Sequence, residues 1–391
     1  MEPKAAAKLV AKMPGGAHGR GVTLFRRFRR FDLQMQMRAA KDEVHQGHLS
    51  DQRKVQSQQP VTDEFVKSLQ PLTREDIVND RSWLFARIAV LSNAERHTIN
   101  QAQVRAFAAY HGLPLIKWKK KLDSNQIALQ FIREGRRREL YEHEPALWGY
   151  YVKGAPATIN FNIATSRGLV NGCPAMMDSL TLADGQSLDV LLETAIRNGT
   201  TEIEIEPPVS INVVPDLPDD ELQTLLAMEL SLEPDRVVIP VTVADRPKKF
   251  TPSSVFAATY GLHFEMSYID LQLDLSFATT DFKLQGKTVD KLILCFGPRA
   301  LPPYFSLSSV YVLASRVRMG DHLRVLGCDP KCDDMSHLTD LVHPRALVVW
   351  ESSYDDDGCF SEDQRQMALA MLLGTAQQRA TSSGSVPMDT H

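Results

Sequence analysis

The chain has 391 residues, room for more than one folded unit, and its 43% hydrophobic and 24% charged content is that of a globular protein with a core. A formal net charge of -4 excludes a globally basic nucleic-acid coat, and no run approaches the roughly 18 apolar residues of a membrane span. Five cysteines (Cys173, Cys295, Cys328, Cys332 and Cys359) are odd in number and scattered, which argues against a disulfide framework and for a reducing compartment.

Residues 1–23 are Gly-, Ala- and Lys-rich without periodicity and read as a poorly ordered basic arm, with no apolar stretch of the signal-peptide kind. The basic residues Lys4, Lys8, Lys12, Arg20, Arg26, Arg27, Arg29 and Arg30 crowd this end. A second run is Lys117, Lys119, Lys120, Lys121, Arg133, Arg136, Arg137 and Arg138. Such runs serve either as phosphate contacts or as solvated faces. Residues 31–47 read as a helix with Leu33, Met37 and Val44 near one face and Gly47 as its stop. A Gln/Ser-rich linker follows at 48–60, and Thr62 or Asp63 is placed to cap a short helix through Val66 and Leu69.

Residues 86–91 form an apolar run of the buried-strand type, Asn93 stands where a helix cap belongs, and a long helix should end at Gly112. A strand at 113–118 completes a strand–helix–strand order, which predicts a parallel sheet with a crossover helix. The charged stretch 133–144 reads as an exposed helix or loop. From Tyr150 to Tyr268 short strands separated by Pro and Gly are expected at 157–163, 175–182, 201–205, 209–213 and 236–243, which predicts a β-rich insertion. Sheet strands return at 270–280 and 289–296, a helix at 306–317 and a last strand at 322–326. The tail 375–391 is Ser/Thr/Gly/Gln-rich and reads as disordered.

The most informative segment is 277–288, a strand running into a polar loop with Thr280, Lys283, Gln285, Gly286 and Thr288. Open α/β sheets bind ligands at the C-terminal ends of their strands, and Gly, Lys and hydroxyl groups suit a phosphate. Gly286-Lys287-Thr288 imitates the end of a phosphate-cradling P-loop, but Asp281 stands where that motif needs glycine, and a strand rather than a helix follows. Nowhere else in the chain is there a G-x-x-x-x-G-K-[ST] sequence. Arg316 lies near the end of the helix at 306–317, where it either complements the helix dipole or reaches a phosphate across a cleft. Cys328 and Cys332 lack a second Cys/His pair at zinc-finger spacing, and Asp355-Asp356-Asp357 reads as a solvated acidic loop.

These segments resemble the last motifs of the PIF/RecD-type superfamily-one DNA helicases, Helitron-like members included. Ala278, Thr280, Lys283, Gln285, Gly286 and Thr288 match that family's A-x-T-x-H-K-x-Q-G-x-T loop. Tyr311, Val312, Ser315, Arg316 and Val317 match its Y-V-A-L-S-R-V helix, and residues 322–326 match its L-R-V-L strand. Upstream, Arg167–Gly172 resembles an R-G-L-V-N-G turn, residues 33–39 the L-x-x-Q-M-R segment, and 89–93 with Asn100 a strand-to-helix element. The departures are Phe282 for the family's His, Leu284 for its Ser, and an exchange of Ala and Leu at Leu313 and Ala314.

The resemblance implies an α/β fold: a RecA-like parallel sheet with flanking helices and a small inserted β-rich, SH3-like subdomain. It implies a second motor domain beginning at 24–149, interrupted by the insertion at 150–268, closed by 269–330 and extended through 331–374. Thr280, Lys283, Gln285, Gly286 and Thr288 would contact single-stranded DNA; Arg316 and Arg38 would be catalytic, and Gln36 with Arg316 would face nucleotide. The complete enzyme would use ATP and Mg2+, whereas this chain alone is expected to bind neither tightly and to hydrolyse no ATP. The implied partners are single-stranded DNA and a first RecA-like motor domain in cis or in trans, with no membrane. The implied setting is the nucleus or another intracellular compartment containing DNA, with roles in repair and recombination. A truncated gene model, a split enzyme, a decayed mobile-element helicase and a non-catalytic nucleic-acid-binding module or interaction scaffold are the alternatives.

Overall fold

The structure, a computed structural model, describes residues 23–24, 26–32, 36–55, 59–123, 134–183, 185–228, 230–244, 246–252, 265–296, 301–326 and 335–371. The expected arm except its last residue, the tail at 375–391, residues 33–35, Arg133, Cys328 and Cys332 lie outside the described residues. The chain divides into two compact units. The first comprises Met1–Gln70, Ala300–His322 and Asp329–His391; the second comprises Pro71–Arg299 and Leu323–Cys328. These boundaries do not coincide with those expected at 150 and 268.

The first unit opens with α1 (Glu43–Gln52) and α2 (Asp63–Ser68). In place of one helix at 31–47, a single 3-10 turn covers Met37–Ala39, Asp42 caps α1, and Gly47 lies inside that helix. The expected apolar face fails because Met37 and Val44 are exposed, while His45 and Leu49 are buried. Histidine holds a core position there because the Ala314 carbonyl, 3.1 Å from its Nε2, satisfies the ring. α2 begins as expected, with Thr62 Oγ1 accepting from the Phe65 N–H.

The second unit starts with α3 (Arg74–Asn79), β1 (Arg87–Val90) and α4 (Asn93–His111). The cap of α4 is Ser92 rather than Asn93: Ser92 Oγ accepts from the Glu95 N–H, and the Glu95 carboxylate accepts from the Ser92 N–H. Gly112 ends the helix at φ 63°, a conformation that costs little without a Cβ. Next come β2 (Leu115–Lys119), β3 (Lys121–Leu122), α5 (Glu134–His143), β4 (Trp148–Tyr151), β5 (Pro156–Ile159) and β6 (Pro174–Thr181). Then follow α6 (Leu188–Arg197), β7 (Glu202–Ile205), β8 (Ser210–Pro215), α7 (Asp219–Ala227), β9 (Ile239–Thr242), β10 (Lys248–Phe250) and β11 (Met266–Ile269). The series closes with β12 (Leu273–Leu275), β13 (Ala278–Thr280), α8 (Asp281–Leu284) and β14 (Leu292–Leu294). After the chain returns to the first unit for α9 (Leu307–Ala314), β15 (Leu323–Val325) rejoins the second unit, and α10 (Arg345–Glu351) belongs again to the first.

Four strands form a parallel sheet in the order β13-β1-β14-β15. Period-2 alternation puts Ile88 and Val90 on one face, where they pack with Ala278, Ile293, Cys295 and Trp83. Ile99 of α4 packs against the same cluster, so a helix covers that face. A five-stranded antiparallel sheet, β12-β5-β6-β8-β9, carries the larger core, with Ile159, Val213 and Val241 fully buried. This is the β-rich insertion that the strand spacing predicts.

Three expectations change. The crossover through α4 does not return to the parallel sheet: β2 pairs antiparallel with β4 and parallel with β7. Leu115, Ile116 and Trp118 bury in the larger core, and burial there decides the sheet they join. The stretch 270–280 is not one strand, because β12 belongs to the antiparallel sheet and β13 to the parallel one, with Ser276 and Phe277 at the corner. The helices α6 and α7, which the strand pattern does not predict, interrupt the insertion. Among the described residues no helix is long and apolar enough to cross a membrane.

Candidate functional site

β13 is an edge strand, paired on one side with β1. Asn100 of α4 satisfies its other side: the side-chain oxygen accepts from the Ala278 N–H at 2.8 Å, and the amide donates to the carbonyls of Leu275 and Ala278 at 3.2 Å. This clamp fixes the strand that delivers Thr280 to its C-terminal end.

The polar loop begins there as the short helix α8, anchored by buried Asp281 and Leu284. Phe282, at the position of the family's His, is 67% exposed. Lys283 turns back on the fold, with its Nζ 2.6 Å from Asp274 Oδ2 and 3.3 Å from Asn160 Oδ1. Asp274 also meets Arg96 at 2.9 Å and Lys248 at 3.4 Å. Burial pushes the Asp274 carboxyl up, but Arg96, Lys248 and Lys283 outweigh it and hold the group well below the usual carboxylate range. The sequence motif makes Lys283 an expected ligand contact; its partner Asp274 is legible only in three dimensions.

Gln285, Gly286 and Thr288 are exposed, and Gly286 has φ 82°. The loop then runs back along the sheet. Thr280 stands at the C-terminal edge, but Lys287 and Thr288 share a cleft with Arg87, the first residue of β1, and Ser276, at the corner before β13. Placing the whole loop at the C-terminal edge is therefore corrected: the connection from β13 to β14 spans both edges because parallel strands require the chain to return. Lys287 Nζ donates to the Gly172 carbonyl at 2.6 Å, so the Arg167–Gly172 turn and the loop meet. Burial, reinforced by Arg87 and Lys283, pushes the Lys287 amine down to about 8.

In the first unit the sequence-selected residues Gln36, Arg38 and Arg316 gather at the C-terminal end of α9. Gln36 Nε2 donates to the Tyr311 hydroxyl at 3.0 Å, and Arg38 Nη1 to the Ser315 carbonyl at 2.6 Å. Arg316 Nε donates to the Val312 carbonyl and its Nη2 to Ser315 Oγ, each at 2.6 Å. With His45 on Ala314, the terminal carbonyls of the helix are met by basic side chains, as the helix dipole favours. Arg316 is buried at 8% exposure, and burial together with the charge of Arg38 lowers its pKa. The dipole-capping role of this arginine is thus present. Lys283 and Gln285 belong to the other unit.

Among the described residues, Gly286-Lys287-Thr288 does not have the form of a nucleotide cradle. Gly286-Lys287-Thr288 leads into β14 without an intervening helix, and the lysine lies on Gly172. Among the described residues no group of three or more His, Cys, Asp or Glu side chains is placed to hold a metal. The acidic stretch forms a turn in which Asp355 accepts from the Cys359 N–H, and Arg29 donates to the Asp357 carbonyl. Cys173 is a buried thiol whose pKa burial raises to about 11, an inert structural residue.

No family model matches the chain, and no curated protein matches it. Among solved structures it is similar to a Pif1 helicase from Candida albicans, with 15% identity, 80% of this chain and 58% of that chain covered, and a TM-score of 0.43. It is also similar to a Pif1 helicase from Bacteroides in complex with ADP-AlF3 and ssDNA, with 16% identity, 86% and 59% coverage, and a TM-score of 0.46. A Bacteroides Pif1 bound to ssDNA gives the same values. The chain therefore spans less than two thirds of these proteins.

Proposed function

We propose that this chain is the second motor half of a PIF/RecD-type DNA helicase. Its loop residues Thr280, Lys283, Gln285, Gly286 and Thr288 contact single-stranded DNA. Arg316 and Arg38, with Gln36, face a nucleotide held by a first motor domain supplied in cis or in trans. The observation that carries this reading is the meeting of two segments chosen from sequence motifs alone. Gln36 and Arg38 bond to Tyr311 and Ser315 across more than 270 residues of chain. Two guanidinium groups side by side are a charge arrangement suited to phosphate, since phosphoryl transfer is largely positioning and charge stabilisation. ATP and Mg2+ belong to the complete enzyme, and a DNA-containing compartment such as the nucleus, with work in repair or recombination, follows from the same reading.

The test combines the chain with a first motor domain of a PIF-type helicase and measures DNA-stimulated ATP hydrolysis. Activity that appears only in the mixture, and falls by about 10³-fold in Arg316→Ala, supports the proposal. No activity with single-stranded DNA bound in a salt-dependent way favours a second reading, a non-catalytic nucleic-acid-binding module. That alternative is favoured by Arg316 being bonded to its own helix end. Absence of both DNA binding and activity overturns the two together.

A further inference from the structure

At the N-terminal edge of the parallel sheet lies a cleft of about 530 Å³ lined by Phe85, Arg87, Ser276, Lys287, Thr288 and Lys291, among others. Arg87 opens β1 inside an otherwise apolar strand, where a cation needs a reason. Among the described residues its side chain makes one hydrogen bond, at 3.4 Å to Ser276 Oγ, and no ion pair. A guanidinium carries five donors in a planar fork, so most of this one's capacity is left to the cleft. Lys287 adds a second cation at the same cleft, and its amine feels the charge of Arg87. The Ser276 and Thr288 hydroxyls line the same space. The carboxylates of Asp216 and Asp290 are at the cleft too, and Asp216 acts on Arg87 only through space. Lys291 is directed to Asp80 at 3.1 Å.

Like charges brought together at a partly buried edge are stabilised by an anion between them. We propose that this cleft binds a phosphate oxyanion, with Arg87 as its principal donor and Lys287, Ser276 and Thr288 completing the site. Bidentate Arg–phosphate geometry suits a phosphate monoester or a phosphodiester better than a spherical halide. The site stands apart from Thr280 and Lys283 and does not depend on the motor reading, since a phosphate cleft can serve a chain of either kind.

The test titrates the full chain with inorganic phosphate at constant ionic strength, using chloride as the control, by calorimetry or amide NMR. Saturable binding that weakens about tenfold in Arg87→Gln and is partly retained in Arg87→Lys supports the site. Circular dichroism checks the fold; if Arg87→Gln unfolds, Lys287→Met and Ser276→Ala replace it, each expected to weaken binding several-fold. A parallel arm measures a single-stranded oligonucleotide by anisotropy. Displacement by phosphate, with a matching loss in the variants, identifies a backbone phosphodiester as the source; phosphate binding without oligonucleotide competition identifies a free phosphate or monoester. Phosphate that fails to bind the wild-type chain at millimolar concentration, or binds folded variants unchanged, overturns the inference.

Discussion

Two cationic regions of this molecule are held in opposite ways. Around Lys283 in the second unit, positive side chains converge on a buried carboxylate, Asp274, which meets three of them. Around Arg316 in the first unit, guanidinium groups rest on carbonyls and a hydroxyl at a helix end, and the neighbouring charge that matters most is another arginine. A cation matched to a buried carboxylate is committed to the fold. A cation bonded to helix-end carbonyls is placed by the helix dipole. Lys283 is thus one of three cations sharing a carboxylate, whereas Arg316 is a cap on the end of its own helix.

The largest effect that separates the two regions is expected at Asp274. Asp274→Asn leaves Arg96, Lys248 and Lys283 facing one another and should cost about 3–5 kcal/mol in urea unfolding. A loss under about 1 kcal/mol would erase the distinction. The pH dependence sharpens it. Because the folded carboxyl is held below its ordinary value, its contribution is complete above the unfolded value of about 4 and disappears as pH falls from there toward the folded value. Asp274→Asn should flatten that acid limb of the stability curve.

A smaller effect is expected at Arg316. Arg316→Ala frees the Val312 carbonyl and Ser315 hydroxyl but relieves the repulsion with Arg38, so the net loss should be about 1–2 kcal/mol by thermal or urea unfolding. A loss above about 4 kcal/mol would make this arginine a keystone of the core rather than a helix-end cap. The smallest belongs to Lys283, whose side chain is 38% exposed. Lys283→Met leaves Asp274 with Arg96 and Lys248 and should cost less than about 1 kcal/mol in the same assay. A larger penalty would mean that the loop depends on this one ion pair.

Local pattern made the elements legible. Short runs between Pro and Gly residues marked β6 and β8, and Gly112 stopped α4 where expected. Strand partners were not legible, because an apolar run such as 113–118 is equally suited to either core and only tertiary burial assigned it to β4 and β7. The helix at 31–47 failed because a polar side chain, His45, faces inward with a distant carbonyl as its partner. Within the candidate site, the residues carrying motif chemistry were readable, but Asp274, Arg96 and Arg87 were missed. Arg87 did leave a signal, a lone charge in the run 86–91. Asp274 left none, since an aspartate in a half-buried strand looks like any solvent-facing position.

The interleaving of the two units bears on how the chain is made. β15 closes the parallel sheet, yet it emerges from the ribosome only after α9, which belongs to the other unit. The first unit in turn cannot assemble until its closing segment, Asp329–His391, has been translated, more than 250 residues after its opening one. Ordering such distant segments carries a loop-closure entropy that neighbouring ones escape. Nascent chains should therefore acquire the β-rich core early and complete both units late, leaving the sheet edge at β14 open to wrong partners or to a chaperone in the interval.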